Sequence, residues 1–257
     1  MKGHTTVATA LGLRDHQEDR VVDAAIDAAD IHGRLMAVMD GHGGIGAAEA
    51  VARSLAFLFQ RILTVSQGDV ALALRSTVSE LAQMTRREKS GTTLSLVFVP
   101  QDTEQAHVAL IGDSPVIILD ETGSLHIGPD HNVRSNPGEL AAARRRGAVY
   151  QMGYIFDPQT GAGLQMSRSL GDCELARVLS DEPEIYRVKL GKESIVVLAS
   201  DGVFDPGHVN TGYQIKRIIA LVRKGADAQT LVDDAVARST ADNATALIWR
   251  PLDQSRK

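Results

Sequence analysis

The sequence predicts an α+β fold built on antiparallel sheets, and three observations support this class. Apolar residues recur at helical spacing over residues 48–62 and again over residues 70–88, so two helices follow each other directly. From Thr92 onward the pattern changes to short apolar runs separated by turn residues, which is typical of strands. Helices and strands grouped in separate blocks argue against alternating βαβ units and a parallel sheet.

The remaining elements are predicted in chain order from the same patterns. Strands are expected at residues 5–13, 35–39, 94–99, 106–111, 116–119, 194–199 and 244–249. A third helix begins with Asn136 as its N-cap, Pro137 in the first position and Glu139 in the third, and it ends near Gly147. Two more helices are expected at residues 213–223 and 227–239. Residues 148–165 show no usable period and are interpreted as a surface flap.

Composition and length describe an ordinary globular chain. The 257 residues are 44% hydrophobic and 23% charged, and we expect a single domain over residues 1–257. A net charge of −5 with scattered Lys and Arg predicts no nucleic-acid partner and no binding to an anionic membrane. Cys173, the single cysteine, excludes an internal disulfide. No apolar run approaches the ~20 residues that span a bilayer, so we expect a cytoplasmic protein. We also expect a monomer.

Four aspartates lie at the ends of four apolar runs. Asp40, Asp113 and Asp201 each follow such a run, and Asp242 stands just before the last one. Two carboxylates ~4 Å apart repel by about 4 kcal/mol at an effective dielectric near 20. If folding brings these side chains together, a cation is therefore required between them. The pattern predicts a site for a hard metal ion with oxygen ligands.

A glycine-rich turn follows Asp40. The stretch Gly41-His42-Gly43-Gly44-Ile45-Gly46 formally matches a dinucleotide-binding fingerprint. That reading is disfavoured, because the following helix leads to another helix rather than to a strand that carries an acid. The glycines are better explained by a backbone carbonyl and a carboxylate that face one ion. His42, two residues from Asp40, is a candidate for proton transfer.

Seven motifs then occur in one order along the chain. They are Arg14-x-x-x-Glu18-Asp19, Asp40-Gly41-His42-Gly43-Gly44, Ser90-Gly91-Thr92-Thr93, Gly112-Asp113-Ser114, Ser167-Arg168-Ser169-Leu170-Gly171-Asp172, Ser200-Asp201-Gly202-Val203-Phe204-Asp205 and Asp242-Asn243-Ala244-Thr245. Together they resemble the metal-dependent serine/threonine protein phosphatases of type 2C, over residues 5–249. The resemblance implies a four-layer α-β-β-α sandwich, in which two antiparallel sheets are flanked by helix pairs.

The resemblance also implies a centre that holds two or three Mn²⁺ or Mg²⁺ ions. In the family pattern Asp40 bridges two ions. Asp201 and Asp242 hold the first ion, and Glu18 and the carbonyl of Gly41 help hold the second. Asp19 acts through bound water, and Asp113 matches a third, weaker site. A metal-bridging hydroxide would attack phosphorus. Arg14 would bind the phosphate oxygens and His42 would protonate the leaving alkoxide. The implied substrates are phosphoserine and phosphothreonine in proteins, with signalling against a serine/threonine kinase.

Two alternatives share this fold. One is a non-catalytic binding or regulatory module that presents the flap and the basic run Arg144-Arg145-Arg146 to a partner; the same run is otherwise a solvated helix end. The other is a hydrolase of small phosphoesters. Every metal-ligand position of the pattern carries a capable residue, which favours an active enzyme.

Overall fold

The computed structural model describes residues 1–204 and 211–252. Its strands are Gly3–Ala10 (β1), Arg20–Ala28 (β2), Ile31–Met39 (β3), Gly41–His42 (β4), Gly91–Thr92 (β5), Leu94–Pro100 (β6), Gln105–Ile111 (β7), Val116–Leu119 (β8), Leu125–Ile127 (β9), Val149–Gln151 (β10), Tyr154–Phe156 (β11), Gly163–Leu164 (β12), Leu170–Gly171 (β13), Glu184–Lys189 (β14), Ile195–Ala199 (β15) and Ala244–Pro251 (β16). Its α-helices are Gly46–Val65 (α1), Val70–Thr85 (α2), Pro137–Arg145 (α3), Thr211–Arg223 (α4) and Ala228–Ala237 (α5).

Two five-stranded sheets dominate the described residues. The first sheet has the order β1-β16-β15-β8-β9, and the second has the order β14-β7-β6-β3-β2. Every neighbouring pair in both sheets is antiparallel. Two smaller sheets, β13-β5-β4 and β10-β11-β12, lie apart from them in the hydrogen-bonding pattern. The predicted α+β class with antiparallel sheets is therefore confirmed.

The central strands are buried on both faces, which explains their uninterrupted apolar runs. In β3, Leu35 and Met39 pack in one cluster with α1 and α2, whereas Met36 packs in another cluster with residues of the first sheet. The cluster between the two sheets also contains Trp249, which is completely buried. A third cluster joins α4 and α5 to the outer face of the first sheet. Each large side chain buried in this way contributes about 1.5–3 kcal/mol.

Local signals in the sequence set where the helices begin. The side chain of Asp69 accepts a hydrogen bond from Leu72 N at the start of α2, and Asp227 does the same for Thr230 N at the start of α5. Asn136 caps α3 as predicted, since its Oδ1 accepts from the N–H of Gly138 and Glu139. Such N-caps are worth ~1 kcal/mol each.

Residues 148–165, interpreted from the sequence as a surface flap, contain the short strands β10, β11 and β12, which the sequence does not predict. Ile155 of β11 is fully buried. Strands β2, β9 and β14 were also not predicted. All three are edge strands, and β2 has the sequence RVVDAAIDA, whose alanines and aspartates favour strands weakly.

The basic run also differs from a fully solvated helix end. Arg144 and Arg145 are exposed, but Arg146 is half-buried and donates to the carbonyl oxygens of Val178 (2.8 Å) and Ser167 (3.1 Å). Arg146 therefore ties α3 to the chain that leaves the flap. Among the described residues, no helix has the length and apolar character needed to cross a membrane.

Candidate metal centre and active site

Topology brings the four strand-end aspartates to one edge of the two large sheets. Strands β3 and β7 are both antiparallel to β6, so they run in the same direction and end at the same edge, where Asp40 and Asp113 follow. In the first sheet β15 ends where its antiparallel neighbour β16 begins, so Asp201 and Asp242 meet there. The predicted convergence of these four residues is therefore observed.

Asp40 lies at the middle of this acidic cluster. Its Oδ2 accepts a hydrogen bond from the backbone N–H of Asp201 (3.2 Å) and another from the Ser114 hydroxyl (3.3 Å). Burial raises the pKa of Asp40 well above its usual value, and neighbouring carboxylates raise it further. Those carboxylates belong to Asp201, Asp19, Asp113 and Asp242. Five acidic side chains thus repel one another within one site.

Glu18 approaches the cluster from the loop between β1 and β2. Its Oε1 accepts a hydrogen bond from the backbone N–H of Gly44 (2.7 Å). Gly41 makes this approach possible, because a Cβ atom at that position would lie 2.4 Å from the carbonyl oxygen of Glu18. The absence of a side chain at Gly41 therefore lets the backbone after Asp40 lie directly against the Glu18 segment.

Asp19 and Asp113 are each held by a side-chain donor. Asp19 is buried, and its Oδ2 accepts from the Ser200 hydroxyl (2.8 Å). Burial raises the pKa of Asp19 to about 6 despite this bond. Asp113 accepts from Asn132 Nδ2 (2.9 Å), and burial likewise raises its pKa. Both carboxylates would be more stable beside a cation.

Arg14 lies at the rim of the cluster. Its guanidinium pairs with Asp242 Oδ2 at 2.7 Å and donates to the carbonyl oxygen of Ala241 at 3.2 Å. Its side chain is 53% exposed, so the guanidinium is open to a ligand from solvent. Arg14 is thus placed where it can bind an anion that approaches the acids.

His42 extends from β4 to a buried carboxylate. Its Nε2 lies 2.8 Å from Oδ2 of Asp172, a residue for which the sequence reasoning found no role. Burial lowers the pKa of His42, but the hydrogen bond and charge of Asp172 outweigh it, and the charges of Asp113 and Glu18 add to the rise. The pKa of His42 is therefore raised.

Sequence reasoning also missed the role of Asn243. Its Oδ1 accepts from the backbone N–H of Glu18 (2.8 Å), and its Nδ2 donates to the carbonyl oxygens of Leu11 (2.9 Å) and His16 (3.0 Å). One buried side chain therefore holds the loop that carries both Arg14 and Glu18. The signal was its position in the last motif, directly after Asp242.

The residues fit a divalent cation that prefers oxygen ligands. The clustered side chains are carboxylates, and burial together with the neighbouring carboxylates raises the pKa of Asp40, so a cation beside it would stabilise the charged form. A second group of candidate ligands comprises His131, Glu139 and Glu184, whose ligand atoms lie within 4.8 Å of one another. Arg168 already donates to both glutamates there, at 2.6 and 3.1 Å, so positive charge is supplied without an ion.

Fold and site together define a class: an antiparallel sandwich with a carboxylate centre for divalent cations, which is suited to metal-assisted hydrolysis. The family model described as "Protein phosphatase 2C" matches residues 5–244. The chain therefore belongs to the protein phosphatase 2C family, whose members are protein serine/threonine phosphatases that use Mn²⁺ or Mg²⁺.

Individual relatives agree with this assignment. A rice protein named "Probable protein phosphatase 2C 59" is 28% identical over 254 residues, which cover 96% of this chain and 75% of the rice protein. A Toxoplasma gondii serine-threonine phosphatase 2C has the same fold with a TM-score of 0.74 and 20% identity, and the match covers 96% of this chain and 94% of that one. The catalytic domain of PstP in complex with two manganese ions aligns with a TM-score of 0.61 and 20% identity over 98% of this chain and 99% of that one.

Proposed function

We propose that this chain hydrolyses phosphoserine and phosphothreonine in proteins with the help of two divalent cations bound at the acidic cluster. The observation that carries the proposal is the convergence of four carboxylates around Asp40, whose pKa is raised by burial and by these four. Membership of the protein phosphatase 2C family supports the same activity.

The ligand roles are those that the family resemblance implies, and the clustering of the acids around Asp40 supports them. Asp40, Asp201 and Asp242 would hold one ion, and Asp40, Glu18 and the carbonyl of Gly41 would help hold another. Asp19 would act through ordered water, and Asp113 would serve a third, weaker site. When bound, the cations lower the pKa of a water molecule and stabilise charge on phosphate oxygens. Mn²⁺ and Mg²⁺ suit such a site because both accept carboxylate oxygens and water together.

The chain's own residues bind the substrate and move a proton. Arg14 offers a planar guanidinium to two phosphate oxygens, for which it would leave Asp242. His42 would give a proton to the serine or threonine oxygen as its bond to phosphorus breaks, a contribution of about 10²–10⁴ in rate. Its raised pKa keeps more of the protonated form available near neutral pH.

The direct test compares three substrates with and without Mn²⁺. Hydrolysis of a phosphothreonine peptide and of p-nitrophenyl phosphate is expected in Mn²⁺ and should stop when a chelator is added. Asp201→Asn should reduce both activities strongly. Faster hydrolysis of nucleotides than of phosphopeptides would favour the small-phosphoester alternative, and no hydrolysis of any substrate would favour a binding module.

The remaining proposals concern location, oligomeric state, domain organisation and the signalling role. We propose a cytoplasmic monomer in which residues 1–257 form one catalytic domain and the flap at 148–165 influences the choice of substrate. We also propose that it acts in signalling against a serine/threonine kinase. These proposals rest on the ordinary composition of the chain and on the family resemblance. Size-exclusion chromatography with light scattering tests the monomer, and exchange of the flap with that of a relative tests substrate choice.

A further inference from the structure

A three-stranded sheet places His42 beside a buried aspartate. In the order β13-β5-β4, Gly91 of the middle strand pairs with His42 on one side and with Gly171 on the other. Asp172 follows directly, so the side chain of His42 crosses Gly91 to reach it. The two carboxylate oxygens of Asp172 lie 2.8 and 3.1 Å from His42 Nε2.

Gly91 leaves the space that this pair occupies. A Cβ atom at Gly91 would lie 2.0 Å from Asp172 Oδ2 and 2.3 Å from His42 Nε2, distances that no real contact allows. Asp172 itself has a left-handed backbone, with φ 48° and ψ 49°, which aspartate and asparagine tolerate better than most residues. The contact between His42 and Asp172 therefore needs both a glycine at position 91 and the left-handed backbone of Asp172.

A third residue fixes the carboxylate. The hydroxyl of Ser169 donates to Asp172 Oδ2 at 2.6 Å, and the side chain of Asp172 is only 7% exposed. The side chain of His42, by contrast, is 26% exposed. One edge of the imidazole thus faces a buried anchor, while the ring remains partly exposed in the strand that directly follows Asp40.

We propose that Asp172, held by Ser169, is the positioning residue that orients His42 for proton donation. This inference rests on the proposed phosphatase function. Nε2–H is held by Asp172, so Nδ1 of the doubly protonated ring faces the substrate. A water oxygen bonds to phosphorus as the bond between phosphorus and the alkyl oxygen breaks. The alkyl oxygen keeps the bonding pair and takes the Nδ1 proton, and the attacking water loses its proton to solvent. The neutral ring retains its Nε2–H on Asp172, and solvent later returns a proton to Nδ1.

Two substrates with different leaving groups distinguish a loss of His42 positioning from a general loss of active structure. A phosphothreonine peptide releases a basic alkoxide that needs a proton, whereas p-nitrophenyl phosphate releases a weakly basic phenolate that does not. Asp172→Ala should lower kcat for the peptide ~100-fold, as expected for a misplaced catalytic group, and leave its KM nearly unchanged. It should lower kcat for p-nitrophenyl phosphate no more than about 3-fold, because no proton is needed there.

Further variants sharpen the test. Asp172→Asn keeps both the left-handed backbone and an acceptor oxygen, so it should recover at least ~10-fold of the lost peptide activity. Gly91→Ala should show the same pattern as Asp172→Ala, with a large loss of kcat on the peptide and a small loss on p-nitrophenyl phosphate. Asp120→Asn is the matched control, since Asp120 lies outside the acidic cluster and the flap and also pairs with a histidine, 2.7 Å from Nε2 of His126; it should leave the ratio of the two activities unchanged.

The decisive comparison combines Asp172→Ala with His42→Ala. If Asp172 acts through His42, the double variant should be no slower on the peptide than His42→Ala alone. Equal losses on both substrates, or additive losses in the double variant, would overturn the inference. Failure of the proposed function would give a different result. In that case the wild-type protein would hydrolyse neither substrate, or His42→Ala would slow the hydrolysis of both substrates equally.

Discussion

The backbone N–H of Asp201 donates to Oδ2 of Asp40 over 3.2 Å, although 161 positions separate the two residues in the chain. Asp40 follows a strand of the second sheet and Asp201 follows a strand of the first. This bond therefore crosses from one sheet to the other. The geometry of the acidic cluster depends on how the two sheets pack, and the buried layer around Trp249 sets that packing.

Replacing the Asp40 carboxylate should abolish the stabilisation of the protein by Mn²⁺ without lowering the stability of the metal-free protein. We expect Mn²⁺ at about 100 times its Kd to stabilise the wild-type protein by about 2.7 kcal/mol, which raises Tm by several degrees. Asp40→Asn relieves the repulsion around Asp40, so the metal-free variant should melt no lower than the wild type, and Mn²⁺ should no longer shift its Tm. Differential scanning fluorimetry measures both. Asp27→Asn, at an exposed position outside the cluster, should keep the full shift.

The loop that carries Glu18 should lose its ligand geometry when Asn243 is changed. Asn243→Ala removes one acceptor and two donor contacts to this loop. We expect a 10–100-fold higher Mn²⁺ concentration at half-maximal activity, as for other residues that orient metal ligands. Asn243→Asp keeps an acceptor for Glu18 N but places a carboxylate oxygen against the carbonyl oxygens of Leu11 and His16, so it should not restore the wild-type Mn²⁺ requirement. An unchanged Mn²⁺ requirement in Asn243→Ala would contradict this role.

Replacing Arg14 should raise KM for the substrate but lower the Mn²⁺ concentration needed for half-maximal activity. Arg14→Ala removes the phosphate-binding guanidinium, so KM for a phosphothreonine peptide should rise about tenfold, which is ~1.4 kcal/mol of binding. The same change frees Asp242 from its ion pair, so less Mn²⁺ should be needed for half-maximal activity. Arg14→Lys should lie between Arg14→Ala and the wild type in KM, because lysine keeps the charge without the planar fork. Steady-state kinetics at several Mn²⁺ concentrations test both effects, and parallel increases would refute the arrangement.

His131 should make the metal-free protein less stable in mild acid. Burial, followed by the charge of Arg168 and opposed by that of Glu139, lowers the pKa of His131 to about 4. The unfolded chain, with a pKa near 6.5, therefore binds this proton first as the pH falls, and stability declines from about pH 6.5 down to about pH 4. Between pH 7 and pH 5 this amounts to about 2 kcal/mol.

Urea unfolding in chelator at these two pH values measures the loss. His131→Asn does not titrate, and its Oδ1 can replace Nδ1 as the acceptor for Gly112 N. The variant should therefore lose about 2 kcal/mol less than the wild type between the two pH values. Equal losses in both proteins would show that other groups cause the acid sensitivity.

The strands that the sequence predicted well are those buried on both faces. In β3 and β15 every second residue faces helices and the others face the opposite sheet, so the apolar run is continuous and easily seen. Edge strands such as β2 and β14 carry polar residues on exposed positions, and short pairs such as β4 and β5 gain order only from their neighbours. Their patterns are weak because their stability comes from distant parts of the chain.

By itself the sequence determined the α+β class, the principal helices with Asn136 as the cap of α3, and the acids that follow the strands, because periodicity, capping and strand-end position are local properties. Only the tertiary structure decided which side chains work as pairs. The contacts of His42 with Asp172 and of Asn243 with Glu18 join segments 130 and 225 residues apart. Such contacts exist only once the sheets have packed, since no local spacing encodes the distance between two segments that far apart.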